Sequence, residues 1–389
     1  MKITFITNLV HHHQIPLADE LYRALGADYS YIACEPLPDW LIKGGYDPTL
    51  ERPYIIRAYN GKEEMSKARK LADESDVVIL GSAPDSFIEN RLKGNKLTFR
   101  YAERYFKKRP WYFQDPRVFV HFYKKHFRYR NGKLYMLAAS AYTANDVYQM
   151  RCYKDKVYKW GYFTRVDDFS LEECDKLCAS SEESTPHIMW CARFLRWKHP
   201  ELPVQLAARL KSKGYQFTLD MYGSGEEFEK IKKLASQLQV NDVVTFCGNQ
   251  PNEQILQQMR AHDIFLFTSD RNEGWGAVLN ESMSNGCAAV ASDMIGSAPF
   301  LIKDGENGLL FKSECLDSLE EKVCYLLDNP KERIRIAKNA IISMRNEWSP
   351  ATAAQRFLRL IDCLIHSNDS DYITGPCSKA YPYKTRKKI

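Results

Sequence analysis

The stretch IFLFTSDRNEGWGAVLNESMSNGCAAVASDMIGSAPFLIKDGENGLLF, Ile264 to Phe311, decides the fold. Ile264–Phe267 is short and wholly apolar, which predicts a buried strand. Thr268–Gly276 is polar and glycine-containing and reads as a loop; a helix follows around Asn280–Asn285. A second apolar strand covers Ala288–Ser292, and another glycine turn comes after it. Short apolar runs that alternate with helix between turn signals predict a parallel sheet covered on both faces. In such sheets ligands bind beyond the carboxyl ends of the strands. Glu273, Gly274, Trp275, Gly276 and Glu281 stand at such an end.

Two carboxylates eight residues apart invite a reading as an acid/base pair for glycoside hydrolysis. Geometry argues against it: eight helical residues rise roughly 12 Å, beyond the roughly 5–9.5 Å that such pairs need. Glu273 also falls in the loop. The two acids are better placed to grip different ends of one elongated ligand. The glycines admit close backbone N–H groups, and a helix start favours negative charge. A solvated helix position for Glu281 and a turn position for Glu273 remain open from the residues alone.

Outward from this stretch the same rhythm fills the chain. Toward the N-terminus, Lys2–Thr7, Tyr29–Ala33, Tyr54–Arg57, Val77–Leu80, Leu97–Tyr101, Leu134–Ala139 and Val157–Phe163 read as strands. Ile15–Leu25 reads as an amphipathic helix, and Ser140 or Thr143 can cap another. Nearer by, His187–Ala192, Phe217–Met221 and Val243–Phe246 are strands, with helices over Pro203–Lys213, Phe228–Leu238 and Asn252–Arg260. Helices over Lys331–Asn346 and Ala351–Ile365 close the pattern. The expectation is α/β, with two doubly wound parallel-sheet domains.

Glu273 and Glu281 within EGWGAVLNESMSNGCAAVAS, with GENGLLF (Gly305–Phe311) after them, resemble the donor-site signature of retaining glycosyltransferase family 4. The likeness covers the C-terminal half well and the N-terminal half loosely. It implies the GT-B architecture, two Rossmann-like doubly wound domains facing a central cleft. It implies an acceptor-binding domain over 1–168, a linker over 169–186 and a nucleotide-sugar donor domain over 187–346. A helix over 350–366 would cross back to the first domain, and 367–389 would be a disordered basic tail. Arg193 and Lys198 match the family's paired cations, suited to a departing diphosphate because Arg forks across two oxygens and Lys is a compact charge. Gly223, Ser224 and Gly225 match a glycine turn near the donor, and Gly248, Asn249 and Gln250 the loop that faces the base. Glu273 with Gly274, Trp275, Gly276, Ala277 and Val278 would hold sugar and diphosphate, and Glu281 the ribose. The resemblance implies no metal and no cofactor, the nucleoside diphosphate sugar being a co-substrate.

The chain departs from that pattern in places. NLVHHHQIP replaces the glycine-rich loop after the first strand, and three consecutive histidines cannot all face one ion from regular structure. His12 and His13 are read as acceptor-side. Arg100 and Glu103 stand where relatives carry a histidine, with an internal ion pair as the alternative. Phe300 replaces an acid in Gly296–Phe300, so donor identity does not transfer.

The 389 residues suit two domains, and 44% apolar with 27% charged residues is ordinary globular composition. No apolar run reaches the roughly 18 residues of a membrane span. Eleven scattered cysteines without CxxC pairs suit a reduced cytosolic protein. Cys174 and Cys178 are read as packing residues. The net charge is +6, and from Arg91 to Lys133 fourteen basic residues face only Glu103 and Asp115, with aromatics throughout. That segment can be an anionic-membrane contact or a solvated face over an aromatic core. No nucleic-acid motif accompanies it.

These readings converge on an expected function. The chain would move a sugar, from a UDP-sugar foremost, with retention, to a glycolipid or polyprenyl-linked saccharide in cell-surface polysaccharide assembly. It would lie in the cytoplasm, peripheral on the inner face of the membrane. A nucleotide-sugar epimerase, a soluble sugar-phosphate synthase and a non-catalytic nucleotide-sugar-binding protein are the alternatives.

Overall fold

Strands buried at every residue anchor both halves of the chain: Ile3–Thr7 and Val77–Leu80 in the first, Ile264–Phe267 and Ala288–Ser292 in the second. A computed structural model describes residues 1–42, 46–107, 114–167, 169, 172–174 and 185–383. The chain divides into two units, Met1–Arg165 with Pro350–Ile389, and Val166–Ser349.

The first unit holds a seven-stranded parallel sheet ordered β3-β2-β1-β4-β5-β6-β7. Its strands are β1 (Ile3–Thr7), β2 (Tyr29–Ala33), β3 (Ile55–Arg57), β4 (Val77–Leu80), β5 (Thr98–Ala102), β6 (Leu134–Ala138) and β7 (Val157–Lys159). The strand predicted over Val157–Phe163 is cut to three residues. The helix after β6 runs Thr143–Gln149 with Tyr142 at its cap and no side-chain cap; the Ser140 hydroxyl instead accepts from the Tyr142 N–H at 3.2 Å. The Pro350–Ile365 helix belongs to this unit, where Phe357 meets the rings of Phe99 at 5.2 Å and Trp160 at 5.3 Å.

The sequence predicts a disordered tail, and for most of its length the structure corrects this. Along β7, Ser378 accepts from the Lys159 N–H at 2.7 Å, and the Cys377 and Ala380 N–H groups donate to Lys159 and Val157 at 2.9 Å each. Cys377 is fully buried. The polar tail is ordered because it satisfies the open edge of the outermost strand, an edge that would otherwise template aggregation. Residues 384–389 lie outside the described residues, as does most of the predicted linker. Cys174 packs in the core of the second unit; Cys178 is not among the described residues.

The second unit holds a six-stranded parallel sheet ordered β10-β9-β8-β11-β12-β13. Its strands are β8 (His187–Cys191), β9 (Thr218–Tyr222), β10 (Val244–Gly248), β11 (Ile264–Phe267), β12 (Ala288–Ser292) and β13 (Leu309–Phe311). Strand order runs outward in opposite directions from the β8–β11 pair. The loops after those two strands therefore flank the point where such sheets bind ligands.

Candidate functional site

Apolar β8 delivers the loop Ala192–Lys198 to the sheet's carboxyl edge, and apolar β11 delivers Thr268–Gly276 beside it. One hydroxyl ties them together. Thr268 donates to the Lys198 carbonyl at 2.7 Å and accepts from the Trp190 indole N–H at 2.9 Å. The Asp270 N–H also donates to the Trp197 carbonyl at 3.0 Å. This lacing brings Lys198 and Glu273 into a salt bridge although 75 residues separate them. The two side chains are 11% and 10% exposed. The Lys198 ammonium also lies over the Trp197 ring at 4.3 Å and the Phe267 ring at 5.5 Å. A buried cation held by one carboxylate and two rings is suited to an anionic ligand that displaces or shares that carboxylate.

The glycines hold the loops close. A Cβ on Gly223 would stand 2.0 Å from the Ala192 carbonyl oxygen, and one on Gly225 would stand 2.4 Å from that of Phe194. The Phe194 N–H donates to the Ser224 carbonyl at 2.9 Å, and the Gly223 N–H to that of Gly248 at 2.8 Å. Asn249 reaches the Ser224 hydroxyl at 2.8 Å. Residues 192–194, 222–225 and 248–249 thus form one backbone-laced rim, with Asn249 and Gln250 exposed. Gly276 adopts φ +86°, and a Cβ there would fall 2.6 Å from the Phe267 ring.

Other predicted residues fall elsewhere. Arg193 is exposed, whereas Lys198 is buried. Trp275 is fully buried; its indole donates to Asn280 at 2.8 Å, and its ring lies 6.4 Å from Phe300 and 6.1 Å from Trp348. Its side chain is core, so only its backbone is left to face a ligand. Phe300 stacks on Trp348 at 6.3 Å. The residue that departs from the family pattern therefore completes an aromatic cluster under the loop. Ala277 and Val278 are half-buried at the start of the Val278–Ser284 helix, which begins two residues earlier than predicted.

Glu281 is buried on that helix, and burial pushes its carboxyl up to about 7 against a bond with Asn252. Nearby Cys191, at the end of β8, is pushed up to about 12 by burial and then by the Glu281 carboxylate, with Lys198 opposing. Sequence reasoning missed Cys191, Trp197, Thr268 and Asp270, which are ordinary loop residues without their partners. It also missed His199, at φ +49° and ψ +54°. Burial lowers its imidazole, but Asp270 and Glu201 outweigh that and hold it up at about 9. Glu201 contacts Nδ1 at 2.8 Å; Asp270 stands 3.6 Å from Nε2, too far for a hydrogen bond, so it acts there through charge.

In the first unit the order also reverses, between β1 and β4, and His11–Gln14 follows β1 there. The His12 ring lies 3.8 Å from that of His13 and 4.1 Å from that of Tyr46. Burial and the neighbouring imidazoles keep both histidines neutral, His12 at about 4. Tyr162 lies 6.3 Å from His13 and donates to Glu103 at 3.1 Å, while Lys107 pairs with Glu103 at 3.0 Å. Glu103 thus joins the histidines through Tyr162. Arg100 does not: it pairs with Asp85 and donates to the Lys125 carbonyl at 3.1 Å, an internal ion pair. Among the described residues no group of three or more His, Cys, Asp or Glu is placed to hold a metal.

With this geometry in view the comparisons are informative. Residues 179–342 match the family model for glycosyl transferases group 1. That match contains the β8 and β11 loops, the glycine rim and Glu281. An uncharacterized glycosyltransferase of Methanocaldococcus jannaschii is 26% identical over 196 residues, 49% of each chain. A lipopolysaccharide core biosynthesis glycosyltransferase of Rhizobium meliloti is 26% identical over 187 residues, 48% of this chain and 53% of its own length. The chain spans about half the length of these curated relatives. Anabaena HepE, solved in complex with UDP, aligns at TM-score 0.68 and 16% identity over 93% of this chain and all of its own. The last likeness is one of fold, and the fold is that of the GT-B neighbours: two Rossmann-like units with parallel sheets.

Proposed function

We propose that this protein is a retaining glycosyltransferase. It takes a sugar from a nucleoside diphosphate donor, a UDP-sugar foremost, and gives it to a glycolipid or polyprenyl-linked saccharide in surface-polysaccharide assembly, at the inner face of the membrane. The observation that carries the reading is the buried Lys198–Glu273 pair at the sheet's switch point, within the segment that matches group 1. UDP in the Anabaena complex and the lipopolysaccharide relative support the finer assignments.

In this scheme the bond from the sugar's anomeric carbon to the diphosphate oxygen breaks, and its electron pair leaves with the diphosphate. Lys198, joined by the exposed Arg193, neutralises that charge in a low-dielectric site, so no metal is needed. Glu273 and the Gly274–Gly276 backbone position the sugar. Glu281 takes the ribose hydroxyls, and the Gly223–Gly225 and Gly248–Gln250 rim takes phosphate and base. The acceptor oxygen bonds the anomeric carbon on the face the diphosphate leaves, and its proton passes to the departing phosphate oxygen. His12, His13 and Glu103 serve the acceptor.

The test is a thermal-shift screen against UDP-, GDP-, ADP- and dTDP-sugars without added metal, followed by transfer assays. Binding to the folded state raises the melting temperature by mass action. A shift with one nucleotide family, abolished by Glu281→Ala, and turnover cut about 10²–10³-fold or more by Lys198→Ala support the proposal. No shift and no transfer with any donor overturn it.

A further inference from the structure

The structure sorts the basic segment Arg91–Lys133 into two populations. Arg91 is 1% exposed and donates to the carbonyls of Ala72, Ser75, Asp76 and Leu97. Arg100 and Lys125 converge on Asp85, Arg104 is buried over the Tyr142 ring at 4.4 Å, and Lys107 pairs with Glu103. These cations hold the unit together and are not a surface.

Of the other described cations, Lys93 and Lys96 are exposed well before residue 116 in the chain, whereas Arg117, Lys124, Arg128 and Arg130 lie on and just after one ten-residue helix, Pro116–Lys125. Phe122 is its anchor, 4% exposed and 4.8 Å from the ring of buried His126. At about 100° per residue, Phe119, Tyr123, Pro116 and Val120 fall on one arc about 100° wide, beside the face that Phe122 buries. Phe119 is 56% exposed, and Val120 and Tyr123 are 48% exposed each. A surface helix normally turns charge outward; this one turns aromatics outward. Tyr123 stacks on Phe127 at 5.6 Å, which extends the apolar patch past the helix end.

Charge decides the occupant. Exposed Arg117, Lys124, Arg128 and Arg130 border the arc, and Asp115 is the sole acid from Gln114 to Lys133. The Asp115 side chain accepts the Arg117 N–H as the helix cap. Arg130 lies 4.1 Å from the Phe127 ring centre, so cation and aromatic share one patch. Rings that sit at the headgroup level, flanked by cations, match an anionic bilayer surface. No described helix is long and apolar enough to cross a membrane.

We propose that the outward face of the Pro116–Lys125 helix, continued by Phe127, docks peripherally on an anionic lipid bilayer, with Phe119, Val120 and Tyr123 in the interface and Lys124 and Arg128 on the headgroups. Docking is independent of the donor site and is read without a transfer assay.

The experiment is co-sedimentation of the full chain with vesicles of phosphatidylcholine alone or mixed with phosphatidylglycerol. The wild type is expected to bind the anionic vesicles, weakly the neutral ones, and to lose binding when salt rises from about 0.05 to about 0.5 M. Phe119→Ser/Tyr123→Ser and Lys124→Glu/Arg128→Glu are each expected to weaken binding about tenfold or more. These side chains are exposed, so unchanged melting temperatures identify the loss as one of docking. Binding that is equal in the wild type and both variants, or absent with anionic vesicles, overturns the proposal. So does a dimer in light scattering that Phe119→Ser/Tyr123→Ser splits, which would assign the patch to a second copy of the chain.

Discussion

Removing Glu273 alone leaves a cation in a pocket that water barely reaches. Lys198 and Glu273 are 11% and 10% exposed and touch each other directly. Deleting one partner of such a pair costs about 3–5 kcal/mol, whereas replacing both with apolar side chains is often neutral. For a unit of this size each kcal/mol moves the melting temperature by about 2–4 °C, so Glu273→Leu or Lys198→Met is expected to lower it by about 6–20 °C. The double variant Lys198→Met/Glu273→Leu is expected to recover most of that loss. The coupling then shows as a departure from additivity of several kcal/mol, at or above the top of the about 0.5–3 kcal/mol range of residues in contact. The assay is differential scanning calorimetry of the four proteins, with and without UDP. If Lys198 receives diphosphate, UDP rescues Glu273→Leu by supplying the missing countercharge but fails to rescue Lys198→Met. Single variants that melt within about 2 °C of the wild type, or a double variant as unstable as the sum of its parts, would refute the reasoning.

Two further predictions follow from titration. Glu281 has a folded-state pKa of about 7, above the ordinary 4.5, so the folded protein binds the proton more tightly and loses stability as pH rises from about 4.5 through about 7. Glu281→Gln is expected to stabilise the protein at pH 8, by on the order of 3 kcal/mol at most, seen as a higher melting temperature, and to change little at pH 4.5; a pH-independent difference contradicts the burial account. His199, held up at about 9 by Asp270 and Glu201, contributes stability that is full below 6.5 and lost as pH rises through about 9. The gap between the melting curves of wild type and His199→Gln should close between pH 7 and 10, and a constant gap would show that the imidazole acts by shape alone.

The sequence by itself determined the α/β class, the strands and the neighbourhood of the site. Runs such as Val77–Leu80, Ile264–Phe267 and Ala288–Ser292 have nowhere to go but a sheet buried on both faces. Glu273 and Gly276 follow such a strand directly, so their place at a carboxyl end was legible. Side-chain partners were not, because they come from residues distant in the chain. Lys198 and Glu273 read as two separate jobs, a phosphate cation and a sugar acid, and only the sheet order places them in contact. Arg100 reads as a candidate for the acceptor until the fold supplies Asp85, and Trp275 as a ligand contact until Phe300 and Trp348 enclose it. The tail after the last helix reads as disordered because its composition is polar. Its order depends on the unpaired edge of Val157–Lys159, which exists only once seven strands have assembled. Local pattern determines which segments are strands and helices; the contacts that tune charge and burial are long-range, and the tertiary structure alone decided them.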